Sequence, residues 1–281
     1  MKIINHITDI QDELKTVRFK NKTIAFVPTM GNLHQGHLEL IKQAGQLADI
    51  VVVSIFVNPG QFGPAEDYDS YPRTLQQDID SMQAYQVDFV FAPDSREIYP
   101  EGNLNSTKVS NVDLSSLHCG QSRPIFFTGV ATVVAKLFNI ILPDVAVFGQ
   151  KDFQQLTIIR QMVNDLNYPI KIHGVATIRE KDGLAMSSRN AYLSPSDRKT
   201  AAHIYQILSQ LKQRIELGEV NFDQLQMDAG KMLSNDGFDV DYVHIVASDT
   251  LLPPIHASNG LVILLAAFLN GTRLIDNIIL E

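Results

Sequence analysis

Two histidines and two glycines stand where a strand should give way to a helix, in the run Pro28-Thr29-Met30-Gly31-Asn32-Leu33-His34-Gln35-Gly36-His37. Thr23 to Val27 reads as the strand and Leu38 to Ala48 as the helix. Imidazoles at a helix N-terminus sit beside unpaired backbone N–H groups and the positive end of the helix dipole, and glycine lets a phosphate approach the main chain. The chemistry this suggests is capture of a nucleoside triphosphate and transfer of part of it.

Four further segments carry groups suited to that work. Phe56-Val57-Asn58-Pro59-Gly60-Gln61-Phe62-Gly63 leaves a strand-like run and offers Gln61, an amide that donates and accepts without charge. A neutral amide suits a substrate carboxylate that must itself attack, because a tight Arg pair would hold it back. Alone, the segment would read as a turn with a solvated Gln. In Glu66-Asp67-Tyr68-Asp69-Ser70-Tyr71-Pro72-Arg73-Thr74 the acidic residues read as helix caps, while Asp78, one turn further on, reads equally as a solvated carboxylate or as a partner for Mg²⁺ with phosphate oxygens. Phe148-Gly149-Gln150-Lys151-Asp152-Phe153-Gln154-Gln155 again runs from strand to helix, with Lys151 where the dipole disfavours a cation, so a phosphate role explains it better than a surface lysine does. Gln155 lies on the same helix face as Lys151 and supplies a second neutral amide. Met186-Ser187-Ser188-Arg189-Asn190, preceded by Arg179-Glu180-Lys181-Asp182-Gly183, offers two hydroxyls and a planar guanidinium for phosphate oxygens, or else is a plain polar linker.

Composition bounds these readings. A chain of 281 residues with 45% hydrophobic content can bury one large core or two smaller ones. No apolar run approaches the ~20 residues of a membrane span, and Met1 to Asp12 lacks a signal-peptide pattern, so a cytoplasmic protein with no membrane partner is expected. The single cysteine, Cys119, excludes an internal disulfide framework and a cysteine-based zinc site, and reads as a small semi-buried thiol. A net charge of -8 argues against nucleic acid as a partner, which needs clustered Lys and Arg. A polyanion would have to be held by local cations and backbone dipoles, with help from a divalent metal.

The elements that must position these groups alternate. Ile24 to Val27, Ile50 to Val57, Phe89 to Ala92, Val145 to Phe148 and Ile170 to His173 read as buried strands. Between them Leu38 to Ala48, Thr74 to Tyr85, Thr128 to Ile141 and Phe153 to Leu166 read as helices. The α/β alternation implies right-handed crossovers, a parallel sheet, and ligands beyond the carboxyl ends of its strands. After about Gly174 the pattern changes: Ser194-Pro195 opens a helical run through Leu217, a second helix follows from Asp223 to Leu233, and Asp241 to Val246, Leu261 to Phe268 and Thr272 to Leu280 read as strands. Asn270-Gly271 marks a hairpin between the last two. Residues 1–174 are therefore expected to form one domain, and residues 175–281 a smaller α+β domain with the Met-Ser-Ser-Arg loop at its start.

Taken together, His34-Gln35-Gly36-His37 and Met186-Ser187-Ser188-Arg189 resemble the HIGH and KMSKS pair of the nucleotidyltransferases related to class I aminoacyl-tRNA synthetases. The longer strings, Phe56 to Phe62, Tyr71-Pro72-Arg73-Thr74, Gly149-Gln150-Lys151-Asp152 and Met186 to Asn190, resemble the pantoate:beta-alanine ligase family over nearly the whole chain. The chain departs from it at Arg123-Pro124-Ile125-Phe126-Phe127, where members often read Arg-Pro-Gly-His-Phe.

That resemblance implies a Rossmann-like parallel-sheet domain followed by the smaller domain, and ligation of pantoate and beta-alanine through a pantoyl adenylate, with ATP as substrate and Mg²⁺ present. Carried over, Pro28, Thr29, Met30, Gly31, Asn32, Leu33, His34, Gln35, Gly36 and His37 would line the ATP site, His37 serving as proton donor. Gly149, Gln150, Lys151, Asp152, Ile178, Met186, Ser187, Ser188 and Arg189 would complete it. Gln61 would hold pantoate and beta-alanine and Gln155 pantoate, with Asn58, Tyr71 and Arg123 nearby and Asp78 associated with the metal. The resemblance also implies a homodimer. His6, His118, His173, His203, His244 and His256 match no motif and read as structural or solvated. A nucleotidylyltransferase acting on a phosphorylated substrate would share the histidine element but need more cations than Gln61 and Gln155 supply, and a nucleotide sensor would bind ATP without releasing pyrophosphate. A transfer-RNA charging enzyme is disfavoured by the acidic balance and by the lack of an anticodon-binding extension.

Overall fold

The computed structural model describes residues 1–64, 66–254 and 260–280. Six strands, β1 (Lys2–Ile4), β2 (Ile24–Thr29), β3 (Ile50–Ile55), β4 (Phe89–Phe91), β5 (Val145–Gly149) and β6 (Lys171–Val175), form a parallel sheet in the order β1-β4-β3-β2-β5-β6. The α/β fold expected from the alternation is thus present. It gains an edge strand, β1, too short to announce itself by periodicity. Because helices cover a parallel sheet, its strands are apolar on both faces: Phe26, Val27, Val51, Val52, Val53, Val90 and Val147 are fully buried.

The helices of this part are α1 (Ile7–Phe19), α2 (Gln35–Leu47), α3 (Leu75–Met82), α4 (Ser95–Ile98), α5 (Val112–Ser116), α6 (Cys119–Ser122), α7 (Phe126–Ile141) and α8 (Phe153–Asp165). Among the described residues no helix is long and apolar enough to cross a membrane. The strand order changes its direction of progress between β2 and β5, parallel neighbours through Ala25 with Val145 and Phe26 with Ala146. Such a switch point leaves a crevice beyond the carboxyl ends of the two strands. Thr29 ends β2 there and Gly149 ends β5.

The remaining elements are α9 (Pro195–Ala201), α10 (His203–Glu216), α11 (Phe222–Asn235) and an antiparallel sheet of β7 (Asp239–Ala247), β8 (Leu261–Leu269) and β9 (Thr272–Leu280). The single helical run expected to Leu217 is broken at Ala202, which caps both α9 and α10. Ile204, Ile207, Leu208 and Leu211 recur at helical spacing and are buried in one cluster with Ile263, Leu265, Ala267 and Leu274.

By its internal contacts the chain forms two compact units, and the division is not a single cut. Met1–Ser116, Gly120–Gln150 and Gln155–Ala176 make the first; Leu117–Cys119, Lys151–Gln154 and Thr177–Glu281 make the second. The two short segments join the second unit through specific bonds. His118 Nε2 donates to the Leu251 carbonyl at 2.9 Å, and its Nδ1 lies 2.8 Å from Nδ1 of His244. Burial lowers the pKa of both rings, so the neutral pair needs the Nδ1 proton on His244. Cys119 Sγ lies 2.9 Å from the Tyr242 hydroxyl, and Gln154 Nε2 donates to the Leu117 carbonyl at 2.7 Å.

Three other unassigned histidines also have structural partners: His6 meets Glu97 at 3.3 Å, His173 meets Gln43 at 3.1 Å and His203 meets Asp236 at 2.8 Å. His256 lies outside the described residues.

Asn270 and Gly271 both take positive φ, 46° and 82°, between the paired residues Leu269 and Thr272. This is the turn the dipeptide implies, with mirror-image twist matched to the strands. Gly271→Ala is expected to lower stability by about 1–2 kcal/mol, the cost of a side chain in left-handed backbone. Denaturant unfolding checks it.

Candidate active site

In the first unit the loop after β2 is held from one side by a single carboxylate. Gly31 and Asn32 adopt φ of 82° and 51°, which turns consecutive amides the same way. Asn32 N donates to Asp78 Oδ2 at 3.0 Å and Leu33 N to Asp78 Oδ1 at 2.7 Å, while the Thr74 hydroxyl adds a third bond at 3.1 Å. A Cβ at Gly31 would lie 3.0 Å from Asp78 Oδ2 and 3.1 Å from Ile55 Cγ2, so position 31 has no room for a side chain as well as the wrong backbone for one. Thr29 joins the loop to β3, its hydroxyl donating to the Ser54 carbonyl at 2.8 Å and accepting from Gly31 N at 3.2 Å.

The helix that follows starts at Gln35, earlier than its apolar periodicity indicates, because His34 caps it. His34 Nδ1 accepts from Gly36 N at 3.1 Å, and His37 Nδ1 accepts from His34 N at 3.3 Å. A neutral imidazole that accepts at Nδ1 carries its proton on Nε2. The caps therefore set both rings as Nε2–H donors, with centroids 4.1 Å apart.

A second polar network forms after β3. Asn58, 1% exposed, uses its whole side chain: Oδ1 accepts from Gly60 N at 3.1 Å and the Tyr99 hydroxyl at 2.9 Å, and Nδ2 donates to Gln61 Oε1 and the Gly129 carbonyl, both at 3.1 Å. With its oxygen on Asn58, Gln61 turns its nitrogen to Met30 Sδ at 3.0 Å. The amide after β3 and the loop after β2 thus meet. Burial pushes the Tyr99 hydroxyl up to about 12, which keeps it protonated as a donor.

Arg123 is matched by Glu66, at 2.6 Å from Nε and 2.7 Å from Nη2, and reaches the Gln61 carbonyl at 3.4 Å. Its guanidinium stacks 3.7 Å from the Phe126 ring centroid, so the residue that departs from the family pattern packs on the ion pair. Tyr71 is buried, edge-on to Phe62. Gln155 is half-buried in the first turn of α8.

In the second unit, Ile178 to Met186 form a tight antiparallel turn. Met186 N donates to the Ile178 carbonyl at 3.0 Å, Glu180 N to the Leu184 carbonyl at 2.8 Å, and Gly183 takes φ 94°. Ser187 then caps a short 3-10 turn over Ser188–Tyr192, accepting from Arg189 N at 3.3 Å. Lys151 stands at the start of the α8 helical run, its ammonium 3.9 Å from the Asp152 carboxylate.

The protein alone offers no metal-binding cluster among the described residues: no group of three or more His, Cys, Asp and Glu side chains there could hold a metal. Both Asp78 oxygens are engaged by N–H and O–H donors. Sequence reasoning missed Tyr99 and Gly129 and read Glu66 as a cap. A glycine inside the apolar helix over 128–141 was the one available signal.

Residues 2–279 match the family model described as Pantoate-beta-alanine ligase. The chain is 50% identical over 275 residues to the pantothenate synthetase of Hahella chejuensis, covering 98% of this chain and 97% of the relative. Against the crystal structure of pantothenate synthetase from Thermus thermophilus the TM-score is 0.92 at 42% identity, over 99% of both chains. The pantoate-beta-alanine ligase of Francisella tularensis, solved in complex with beta-gamma ATP and beta-alanine, gives a TM-score of 0.83 at 35% identity over 99% of this chain and 97% of that one.

Two substitutions test the first-unit network. Asp78→Ala strands two main-chain amides and is expected to cost at least about 1.5–3 kcal/mol, equally with and without Mg²⁺, in thermal unfolding. A Cβ at Gly129 would fall 1.9 Å from the Gly60 carbonyl oxygen, so Gly129→Ala should destabilise by roughly 1–3 kcal/mol through overpacking, and wild-type stability would contradict the packing described.

Proposed function

We propose a residue-level mechanism for this chain, which belongs to the pantoate-beta-alanine ligase family and condenses pantoate with beta-alanine in an ATP-dependent reaction. Pantoate's carboxylate attacks the α-phosphorus of ATP and pyrophosphate leaves. The amine of beta-alanine then attacks the carbonyl carbon of the pantoyl adenylate, AMP leaves with the bonding pair, and the amine loses a proton. Such displacements need positioning and charge stabilisation more than a protein nucleophile.

The observation that carries this reading is the amide of Gln61. Asn58 occupies its oxygen and so presents its nitrogen, while the nearby cation, Arg123, is neutralised by Glu66. A carboxylate bound by neutral donors keeps its nucleophilicity, where a bidentate guanidinium would stabilise it in place. Gln61 and Gln155 are therefore assigned to pantoate, Gln61 also to beta-alanine, and Asn58, Tyr71 and Arg123 to holding Gln61 and its surroundings. The Francisella relative's complex with beta-alanine supports the second substrate.

His34 and His37 are assigned to the phosphates as Nε2–H donors, with His37 donating a hydrogen bond to the charge that develops on the departing pyrophosphate. Met30 to Leu33, Gly149 to Asp152, Ile178 and Met186 to Arg189 are assigned to the nucleotide, with Lys151, Ser187 and Arg189 opposing the negative charge. Magnesium would accompany the ATP phosphates and offset their charge, while Asp78 serves the loop. Cytoplasmic location and a homodimer complete the reading.

The test is to supply ATP, Mg²⁺ and pantoate with and without beta-alanine. Pyrophosphate release should require pantoate, and sustained AMP release should require beta-alanine as well. His37→Ala and Lys151→Ala are expected to fold and to lose about 10²–10³ in the rate of pyrophosphate release, the usual effect of removing one charge-stabilising donor. Gln155→Ala should weaken pantoate with ATP binding spared. Equal weakening of both ligands in a titration would remove it from the pantoate site.

A further inference from the structure

Two polar residues sit side by side in β9, within the stretch Leu274-Ile275-Asp276-Asn277-Ile278-Ile279-Leu280, which is otherwise apolar. Both are 4% exposed. A carboxylate buried in a sheet costs several kcal/mol unless it is paired and hydrogen-bonded. Here the two side chains make bonds that run to the two second-unit elements assigned above to the nucleotide.

Successive residues of a strand face opposite sides. Leu274, Ile278 and Leu280 face the core beneath α10 and α11, and Asp276 shares their parity. It takes Arg179 as a fork, with Nη1 at 2.6 Å and Nη2 at 3.0 Å. The same guanidinium donates to the Gly183 carbonyl at 3.1 Å and the Asn277 carbonyl at 3.1 Å, and stacks 3.9 Å from the Tyr205 ring centroid. Arg179 begins the turn that closes at Met186, through its bridge to Ala185, so Asp276 fixes the stem from which Met186-Ser187-Ser188-Arg189 emerges.

Asn277 faces the other side and donates from Nδ2 to the Lys151 carbonyl at 2.8 Å. Its own backbone N–H donates to Asp276 Oδ1 at 2.7 Å. One dipeptide thus holds the main chain at Lys151 and the stem of the Ser187–Arg189 loop.

We propose that Asp276 and Asn277 are positioning residues, which set the Lys151 ammonium and the Ser187–Arg189 loop in fixed register to one another. The mechanism did not use either residue. The inference rests on the assignment of Lys151 and Arg189 to ATP, and it adds that their geometry is imposed from β9. Neither residue need touch substrate.

The test is a double-mutant comparison in the full-length chain, reading pantoate-dependent pyrophosphate release. Asn277→Ala should lower kcat about fivefold to tenfold with KM for pantoate unchanged, as expected for loss of one positioning hydrogen bond. In a Lys151→Ala background the same change should add no further loss, because the group being positioned is gone. Asp276→Asn should behave likewise toward Arg189→Ala. Should Asn277→Ala not fold, Asn277→Asp keeps the shape and removes the donor, and is expected to match its effect.

Equal fold-losses in both backgrounds would make the dipeptide merely structural and overturn the proposal, as would an unchanged kcat. A Lys151→Ala variant as active as the parent would overturn the assignment of Lys151 itself. A crippled Lys151→Ala beside an unaffected Asn277→Ala would overturn the positioning role alone.

Discussion

The bond pair from Asp78 to the amides of Asn32 and Leu33 is the constraint on which the first-unit site depends. Gly31 and Asn32 pass through left-handed backbone, and that turn brings the neighbouring N–H groups of Asn32 and Leu33 onto one carboxylate. That turn ends where His34 can cap α2, and the cap in turn sets the tautomer of both histidines. A buried acid nearly hidden from solvent thus determines, through four residues of main chain, which ring nitrogens carry protons.

Asn58 plays the corresponding part after β3. All of its bonding capacity is used within the protein, so its contribution is to orient Gln61. Gly129 lets α7 approach the Gly60 carbonyl closely. A buried polar group without a partner is costly, which is why the Asn58 side chain is fully matched within the protein.

Much of this was legible in the sequence. The parallel sheet followed from short Val- and Ile-rich runs separated by helical periods, and the terminal hairpin from Asn270-Gly271, because both signals are local. The first strand was not legible, since three residues at an edge carry no period. Nor was the break at Ala202, where residues of good helical propensity continue across a turn that only packing decides. Glu66 was read as a cap because acids before a helix usually are; its partner Arg123 lies 57 positions away, and no spacing rule finds such a pair. Asp78 was visible as a candidate but its work was not, for a carboxylate that holds amides and one that meets a cation look alike in a string of letters.

The exchange of short segments between the two units has a consequence for how this molecule can be taken apart. His118 depends on the Leu251 carbonyl, Cys119 lies against Tyr242, and the Lys151 carbonyl is satisfied by Asn277. A gene fragment ending at Ala176 would carry all three of those orphaned groups and none of their mates. The second unit is thus threaded from three stretches of sequence, and a fragment cut at a single point would leave loose threads at three places.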